Sequence, residues 1–167
     1  MTARLRFLRA DDADPAYIRA LDLRFRVLRA PLGMPRGSER SAADDEAWHL
    51  IAEADDGRVL GVVLLREQPA ERDATVRVGR LFQMAVDPAL QGMGLGAALV
   101  RRLEARAIEL GYAAIILHAR ETAVGFYSRL GYDTVGAPYT EVGIPHVDMT
   151  RQLPSAATAH PQPESPS

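Results

Sequence analysis

The sequence contains no cysteine, and this absence excludes several kinds of chemistry at once. Disulfide bridges, thiolate nucleophiles and cysteine metal sites all need a thiol. The chain also lacks an excess of charge of one sign, because 20 Lys and Arg residues face 22 Asp and Glu residues and the formal net charge is −2. No global basic field is therefore available to attract nucleic acid or an anionic membrane, and we expect neither as a partner.

Long apolar runs are absent as well. Residues 1–7 lack the apolar stretch of a secretory signal, and nothing approaches the ~18 apolar residues of a membrane span. The 167 residues, 47% of them hydrophobic, fit one domain with one core. We therefore expect a cytoplasmic protein with a single domain over residues 1–153. Residues 154–167, rich in Pro, Ser and Ala, form a predicted disordered tail because they cannot bury enough apolar surface.

Hydrophobic periodicity predicts strands and helices that alternate along the chain. Asp14 followed by proline indicates a helix start, and Asp56-Gly57 indicates the tight turn of a hairpin. The expected fold class is a mixed α/β domain. Its predicted strands cover residues 4–9, 48–53, 59–65, 76–86, 113–117, 132–136 and 146–153, and its predicted helices cover residues 15–29, 97–110 and 122–130.

The most informative stretch follows the strand at 76–86. Gly92, Gly94 and Gly96 alternate and then open directly into a helix. Glycines let a ligand approach the backbone closely. The first turn of a helix has unpaired amides and partial positive charge, which suit a phosphate. The stretch therefore predicts a binding site for a phosphate or pyrophosphate.

Three other interpretations of this loop are weaker. A P-loop needs Gly-Lys-Ser/Thr, whereas Gly96 is followed by Ala97-Ala98. A Rossmann fingerprint, G-x-G-x-x-A, is satisfied by residues 92–97. However, the next strand is followed by His118-Ala119-Arg120 instead of an acidic residue, and too little chain remains for a dinucleotide fold. A simple tight connection would need only one glycine.

Three segments carry a resemblance to a known family. Residues 91–96, Gln-Gly-Met-Gly-Leu-Gly, match the Q/R-x-x-G-x-G/A motif of the GNAT superfamily. Residues 123–132 resemble that superfamily's A-x-x-F-Y-x-x-x-G-F segment, at the expected distance. Residues 139–149 look like the E-x-G-I-P-H-x-x-M close of ElaA-type acyltransferases. The sequence is therefore similar to GNAT N-acetyltransferases.

This resemblance implies a fold, a co-substrate and a reaction. The fold is a mixed, mainly antiparallel central sheet flanked by helices. Acetyl-CoA donates an acetyl group to a primary amine of a small molecule or peptide, without a metal. Because no cysteine can form an acyl-enzyme, direct attack in a ternary complex is favoured. A non-catalytic acyl-CoA-binding module is the alternative, and a homodimer is compatible with the sequence.

The resemblance also implies roles for individual residues. Tyr127 is the expected acid that serves the departing thiolate. Where many members have an Asn that helps to hold the cofactor, this chain has Arg120. The backbones of Met84 and Val86 are expected to bind pantetheine, and backbone amides are expected to cradle the pyrophosphate at Gln91, Gly92, Gly94, Gly96 and Ala97.

The amine must lose a proton, so a base is expected. Glu141, His118 and His146 are candidates, although each is also compatible with a structural or solvated role. His49 is expected to be a strand residue without catalytic consequence. A further group of side chains comprises Arg24, Arg26 and Arg29. Two interpretations remain open for this group: it forms a solvated helix face, or it forms an anion site near the acceptor loop.

Overall fold

The computed structural model describes residues 2–69 and 75–156. Most of the predicted tail, residues 157–167, lies outside this range. No helix within it is long and apolar enough to cross a membrane.

The described part of the chain contains seven strands and three α-helices, together with short 3-10 turns. The strands are β1 Ala3–Leu8, β2 Trp48–Ala54, β3 Val59–Glu67, β4 Val78–Val86, β5 Ala114–Arg120, β6 Asp133–Glu141 and β7 Ile144–Gln152. The helices are α1 Pro15–Arg24, α2 Leu95–Glu109 and α3 Val124–Arg129, and a π-helical turn, Phe25–Arg29, continues α1. The predicted element order is confirmed, with differences at the ends.

The strands form one sheet in the order β1-β2-β3-β4-β5-β7-β6. Only β4 and β5 are parallel, and their pairing is limited to Val78–Arg80 against Ala114–Ile116. Beyond these three residue pairs, β4 and β5 no longer pair with each other, although β4 still pairs with β3 and β5 with β7. A gap therefore opens inside the sheet, between two strands that are neighbours at their start.

The sheet has two distinct faces because side chains alternate along each strand. On β5, Ile115 and Leu117 pack in the core beneath α2 and α3. His118 and Arg120, at the alternate positions, belong to the opposite face. That opposite face is covered by α1, whose Tyr17 packs in a second core with residues of β2, β3 and β4. The gap is thus bordered by an α2/α3 face and an α1 face.

Several element ends differ from the sequence prediction. Strand β5 continues past Leu117 to Arg120, so that His118 and Arg120 belong to the strand and do not follow it. The α-helix at Pro15 ends at Arg24, and the remaining predicted residues form the π-helical turn. Helix α2 begins two residues early, at Leu95, directly after Gly94. Strand β6 continues past Gly136 to Glu141. Its glycine and proline are tolerated because β6 is an edge strand with an irregular register.

The segment between α1 and β2 is anchored by a buried carboxylate. Asp44 accepts two hydrogen bonds from Arg24, at 2.8 and 3.1 Å, and one from Tyr17 at 3.0 Å. Its carbonyl accepts a hydrogen bond from Nε2 of His49 at 2.9 Å. Burial opposes ionisation of Asp44, but the bonds and charge of Arg24 outweigh it, so the pKa of this carboxyl is lowered. A solvated helix face is therefore wrong for Arg24, which is fully buried.

Candidate active site

A cavity of about 820 Å³ lies where β4 and β5 diverge. It is lined on one side by the glycine-rich turn and α3, and on the other by the π-helical turn and the β6–β7 hairpin. All eleven residues that the sequence nominated line this one cavity: Met84, Val86, Gln91, Gly92, Gly94, Gly96, Ala97, His118, Tyr127, Glu141 and His146. Their individual roles stay predictions.

The three glycines of the turn serve different structural purposes. Gly92 and Gly94 have φ values of 81° and 86°, which L side chains rarely adopt, and a Cβ at either would meet nothing within 4 Å. Their surroundings are open, as a site for a bulky ligand requires. A Cβ on Gly96 would lie 3.2 Å from the ring of Phe126. Gly96 therefore allows α2 and α3 to pack closely.

Strand β4 turns main-chain groups toward the gap. The amide of Asp87 donates to Leu60 on the β3 side. Because main-chain groups alternate in direction along a strand, those of Met84 and Val86 face the other side, where β5 has diverged. The Val86 carbonyl there accepts a hydrogen bond from the side chain of Gln91 at 3.1 Å. The remaining groups are available to a ligand.

A bulge in β4 adds an unpaired acceptor. Val62 pairs with Ala85 and Leu64 pairs with Phe82, so β4 has one extra residue, and Gln83 adopts a φ of 53°. Gln83 lines the cavity, and its buried Oε1 has no hydrogen-bond partner among the described residues. A buried acceptor without a partner indicates a donor from a ligand or water. An extended chain carrying amide groups fits this gap.

Tyr127 lies on the α3 side of the cavity and is only 6% exposed. Its ring packs edge-on against Phe126 and Tyr132, with centroid distances of 4.9 and 5.8 Å. Burial alone raises the pKa of its phenol well above the ordinary value. The phenol therefore keeps its proton near neutral pH and can act as a donor.

Glu141 and His146 are brought together by the β6–β7 hairpin. Val142 and Gly143 have φ values of 47° and 74°, the positive values of a tight two-residue turn. Glu141 then lies 3.7 Å from Nε2 of His146, and also 3.7 Å from Nδ1 of His118 on β5. The half-exposed carboxylate stands between two imidazoles.

The two histidines differ in which nitrogen is free. Nδ1 of His118 lies 3.2 Å from Nη2 of Arg80, and a guanidinium can only donate, so this lone pair is occupied. Nδ1 of His146 lies 2.8 Å from the carbonyl of Ile144, which can only accept. Neutral His146 consequently carries its proton on Nδ1, and its Nε2 lone pair faces Glu141. Among the described residues, no hydrogen-bond donor occupies the Nε2 lone pair of His146.

The structure adds residues that the sequence interpretation missed. Arg80 joins the α1 face of the cavity wall. Behind it, Tyr139 donates a hydrogen bond to Asp148 at 2.6 Å. Nε2 of His118 lies 3.6 Å from the same carboxylate. Asp148 is two residues after His146, a spacing that places both on one strand face and could have suggested it. No comparable signal marked the bulge at Gln83.

The fold and the cavity define a class of protein, since this sheet and its helices are those of acyl-CoA N-acyltransferases. The chain belongs to the GNAT acetyltransferase family, because the family model described as "Acetyltransferase (GNAT) domain" matches residues 34–153. The predicted family and the mainly antiparallel fold class are confirmed.

Individual structures and relatives show the extent of the similarity. The acyl-CoA N-acyltransferase from Pseudomonas aeruginosa has a TM-score of 0.73 and 26% identity, covering 90% of this chain and 99% of that one. Escherichia coli ElaA, at 21% identity, shares the fold with a TM-score of 0.72 over 90% of this chain and 99% of its own. The glucosamine 6-phosphate N-acetyltransferase of Trypanosoma brucei brucei is 34% identical over 76 residues, 46% of this chain and 52% of the relative. The chain spans about half the length of the first curated relatives it matches.

Proposed function

We propose that the protein is an N-acetyltransferase that moves an acetyl group from acetyl-CoA to a primary amine by direct attack. The observation that carries this proposal is one cavity with a buried phenol on its α3 side and an imidazole–carboxylate pair on its α1 side. Proton donation to the leaving sulfur and proton removal from the amine need two such groups on opposite sides of the reacting carbonyl.

The residues of the gap fit acetyl-CoA. The main chain of Met84 and Val86 pairs with the pantetheine arm as a strand edge pairs with an added strand. Gln83 offers its unpartnered oxygen to an amide N–H of the same arm. The pyrophosphate is cradled by amides at the start of α2, where the open turn leaves room and the helix dipole adds positive charge. When bound, acetyl-CoA supplies the thioester that is cleaved.

Tyr127 provides the proton that the departing sulfur needs. As the amine nitrogen bonds to the carbonyl carbon, the carbon–sulfur bond breaks and negative charge develops on sulfur. A phenol held protonated by burial can donate to that sulfur with little reorganisation. This interaction is stronger in the transition state than in the ground state, which is the condition for catalysis.

His146 accepts the proton that the amine loses. Its Nε2 lone pair is free, and Glu141 at 3.7 Å stabilises the imidazolium once it forms. The hydrogen bond from Nδ1 to the Ile144 carbonyl holds the ring in this tautomer. His118 is a positioning residue in this scheme, because Arg80 occupies its lone pair.

A thiol-release assay with acetyl-CoA and a broad panel of amines tests the proposal. Release of CoA with at least one amine, together with the acetylated product by mass spectrometry, is the expected result. A protein that binds acetyl-CoA tightly but accelerates no transfer to any amine in the panel would instead be a binding module. Isothermal calorimetry with CoA, run on the same preparation, separates that outcome from an inactive sample.

A further inference from the structure

Three guanidinium groups without a carboxylate partner line the α1 side of the cavity, which is the acceptor side in the proposed function. Arg29, Arg80 and Arg120 are all half-buried and all contribute to the cavity wall. Within the described residues, no Asp or Glu oxygen lies within 4.0 Å of any of them. Half-buried charges are costly to leave unpaired. The cluster therefore has spare capacity for an anion.

The arginines converge although they come from three elements. Arg80 on β4 and Arg120 on β5 both belong to the α1 face of the sheet. Arg29 comes from the π-helical turn, and Arg120 reaches the same turn by donating to the carbonyl of Leu28 at 3.4 Å. Desolvation and then the nearby charges of Arg24 and Arg120 lower the pKa of Arg29, as expected for like charges gathered together.

The acidic groups that face this cluster are already engaged. Asp148 accepts the hydrogen bond of Tyr139 and lies near His118. Glu141 stands between the two imidazoles, His118 and His146. Glu39, whose charge also acts on Arg29, accepts a hydrogen bond from the amide of Gly37 at 2.8 Å. All three carboxylates therefore have other partners, and the guanidinium groups remain available to a ligand anion. Positive charge of this kind repels cationic acceptors such as polyamines.

We propose that Arg29, Arg80 and Arg120 bind an anionic group on the acyl acceptor. This proposal rests on the proposed function and deepens it: the substrate class is a small molecule that carries a primary amine together with a carboxylate or a phosphate. Guanidinium groups suit both oxyanions because they donate in a planar, bidentate geometry. Holding the anion fixes the position of the amine relative to His146 and the thioester, which lowers the entropic barrier to reaction.

The phosphates of CoA are the rival ligand for these arginines, and the two faces of the sheet argue against it. The glycine-rich turn leads into α2, so the pyrophosphate site belongs to the α2/α3 face. Arg129, on α3, lines that same side of the cavity and offers a guanidinium group there. The three clustered arginines belong to the α1 face, across the gap.

Paired acceptors that differ only in the anion give the first test. Phosphoethanolamine is compared with ethanolamine, and phenylalanine with 2-phenylethylamine, in the thiol-release assay. In at least one pair, the anionic member should have a kcat/KM at least tenfold higher than that of its partner. A difference in the first pair indicates recognition of a phosphate, and a difference in the second pair indicates recognition of a carboxylate. Equal use of both members, or preference for the amines that lack the anion, would overturn the proposal while leaving the acetyltransferase function intact.

Variants then assign the effect to the cluster. Arg29→Gln should raise KM for the preferred anionic acceptor about 10- to 100-fold, the usual effect of losing a hydrogen bond to a charged group. It should leave the Kd for CoA unchanged. Arg26→Gln is the matched control, because Arg26 lies on the same turn but is exposed and paired with Asp22. A weaker CoA affinity in Arg29→Gln, with an unchanged acceptor KM, would assign the cluster to the cofactor instead.

If no amine is acetylated, the anion subsite can still be tested by measuring the binding of anionic acceptors. Phosphoethanolamine and phenylalanine are then titrated by calorimetry into the protein saturated with CoA. Binding of either that Arg29→Gln weakens at least tenfold and Arg26→Gln does not would support the anion subsite and refute only the acetyltransferase proposal. Absence of binding by both would refute the anion subsite as well.

Discussion

Three arginines that lie within six residues of one another occupy three different environments. Arg24 is fully buried and forms a bidentate ion pair with Asp44. Arg26 is exposed and pairs with Asp22 one helical turn away. Arg29 lines the cavity. The change from α-helix to π-helix after Arg24 alters the direction in which successive side chains leave the axis, so helical spacing alone could not separate these environments.

At the residue scale, the Tyr127 hydroxyl is the sharpest test of mechanism. Tyr127→Phe removes the proposed proton donor and almost no packing volume. Turnover should fall about 10²- to 10⁴-fold, the usual contribution of general acid catalysis, while the Kd for acetyl-CoA stays nearly level. Steady-state turnover with the best acceptor and calorimetry with CoA provide the two measurements.

A neighbouring tyrosine supplies the control for this substitution. Tyr132 packs against Tyr127, its hydroxyl is buried without a partner among the described residues, and it does not line the cavity. Tyr132→Phe should therefore keep wild-type turnover. Equal turnover in the wild type and in Tyr127→Phe, with chemistry limiting the rate, would remove Tyr127 from the mechanism.

At the scale of elements, the proposed phosphate-binding role of the turn between β4 and α2 can be tested with two variants that introduce similar backbone strain. Gly94→Val and Gly136→Val both place a β-branched residue at positive φ, 86° and 75°, with open space around the new Cβ. Both should lower the melting temperature by a similar amount, since the backbone strain is similar. Only Gly94→Val should weaken CoA binding, because only its side chain occupies the proposed phosphate site. Similar CoA affinity in the two variants would mean that the turn is merely a connection.

The sequence predicted the elements around the glycine-rich turn better than those on the α1 side of the cavity. Glycine spacing and a helix start are local signals, so the turn at Gly92 and Gly94 before α2 could be predicted from the sequence. The α1 side of the cavity depends on contacts between segments that are far apart in the sequence, such as Arg80 with His118 and Arg120 with Leu28. Strand β6 was cut short because Gly136 and Pro138 are ordinary strand breakers, and only its position at the sheet edge makes them acceptable.

At the scale of the whole molecule, the buried network around Asp44 should govern stability in acid. Burial lowers the pKa of His49, so the unfolded state binds its proton first. Stability should therefore fall as the pH drops below about 6.5, the ordinary value for His. The lowered pKa of Asp44 adds a second loss, which begins below about 4, where the unfolded carboxyl takes up a proton, and continues as the pH falls through the folded pKa.

Melting temperatures of the wild type and His49→Gln between pH 7.5 and 5 measure the first loss. The glutamine can still donate to the Asp44 carbonyl but cannot be protonated, so its curve should be flatter. A slope equal to that of the wild type would show that other groups control this range. Should His49→Gln fail to fold, the wild-type curve still decides, because stability that is constant from pH 7 to 5 contradicts the proposed titration.

The gap between β4 and β5 has a consequence for how substitutions affect the two sides of the cavity. Cofactor contacts are proposed to come from the turn after β4 and from α3, whereas acceptor contacts come from the turn after α1 and the β6–β7 hairpin. These segments are separate in the chain and line opposite sides of one cavity. On the proposed assignment, we expect substitutions of Val142, which lines the cavity in the hairpin turn, to change acceptor selectivity and leave the affinity for acetyl-CoA unchanged. The same assignment predicts that the acceptor can change by substitution while the donor stays the same.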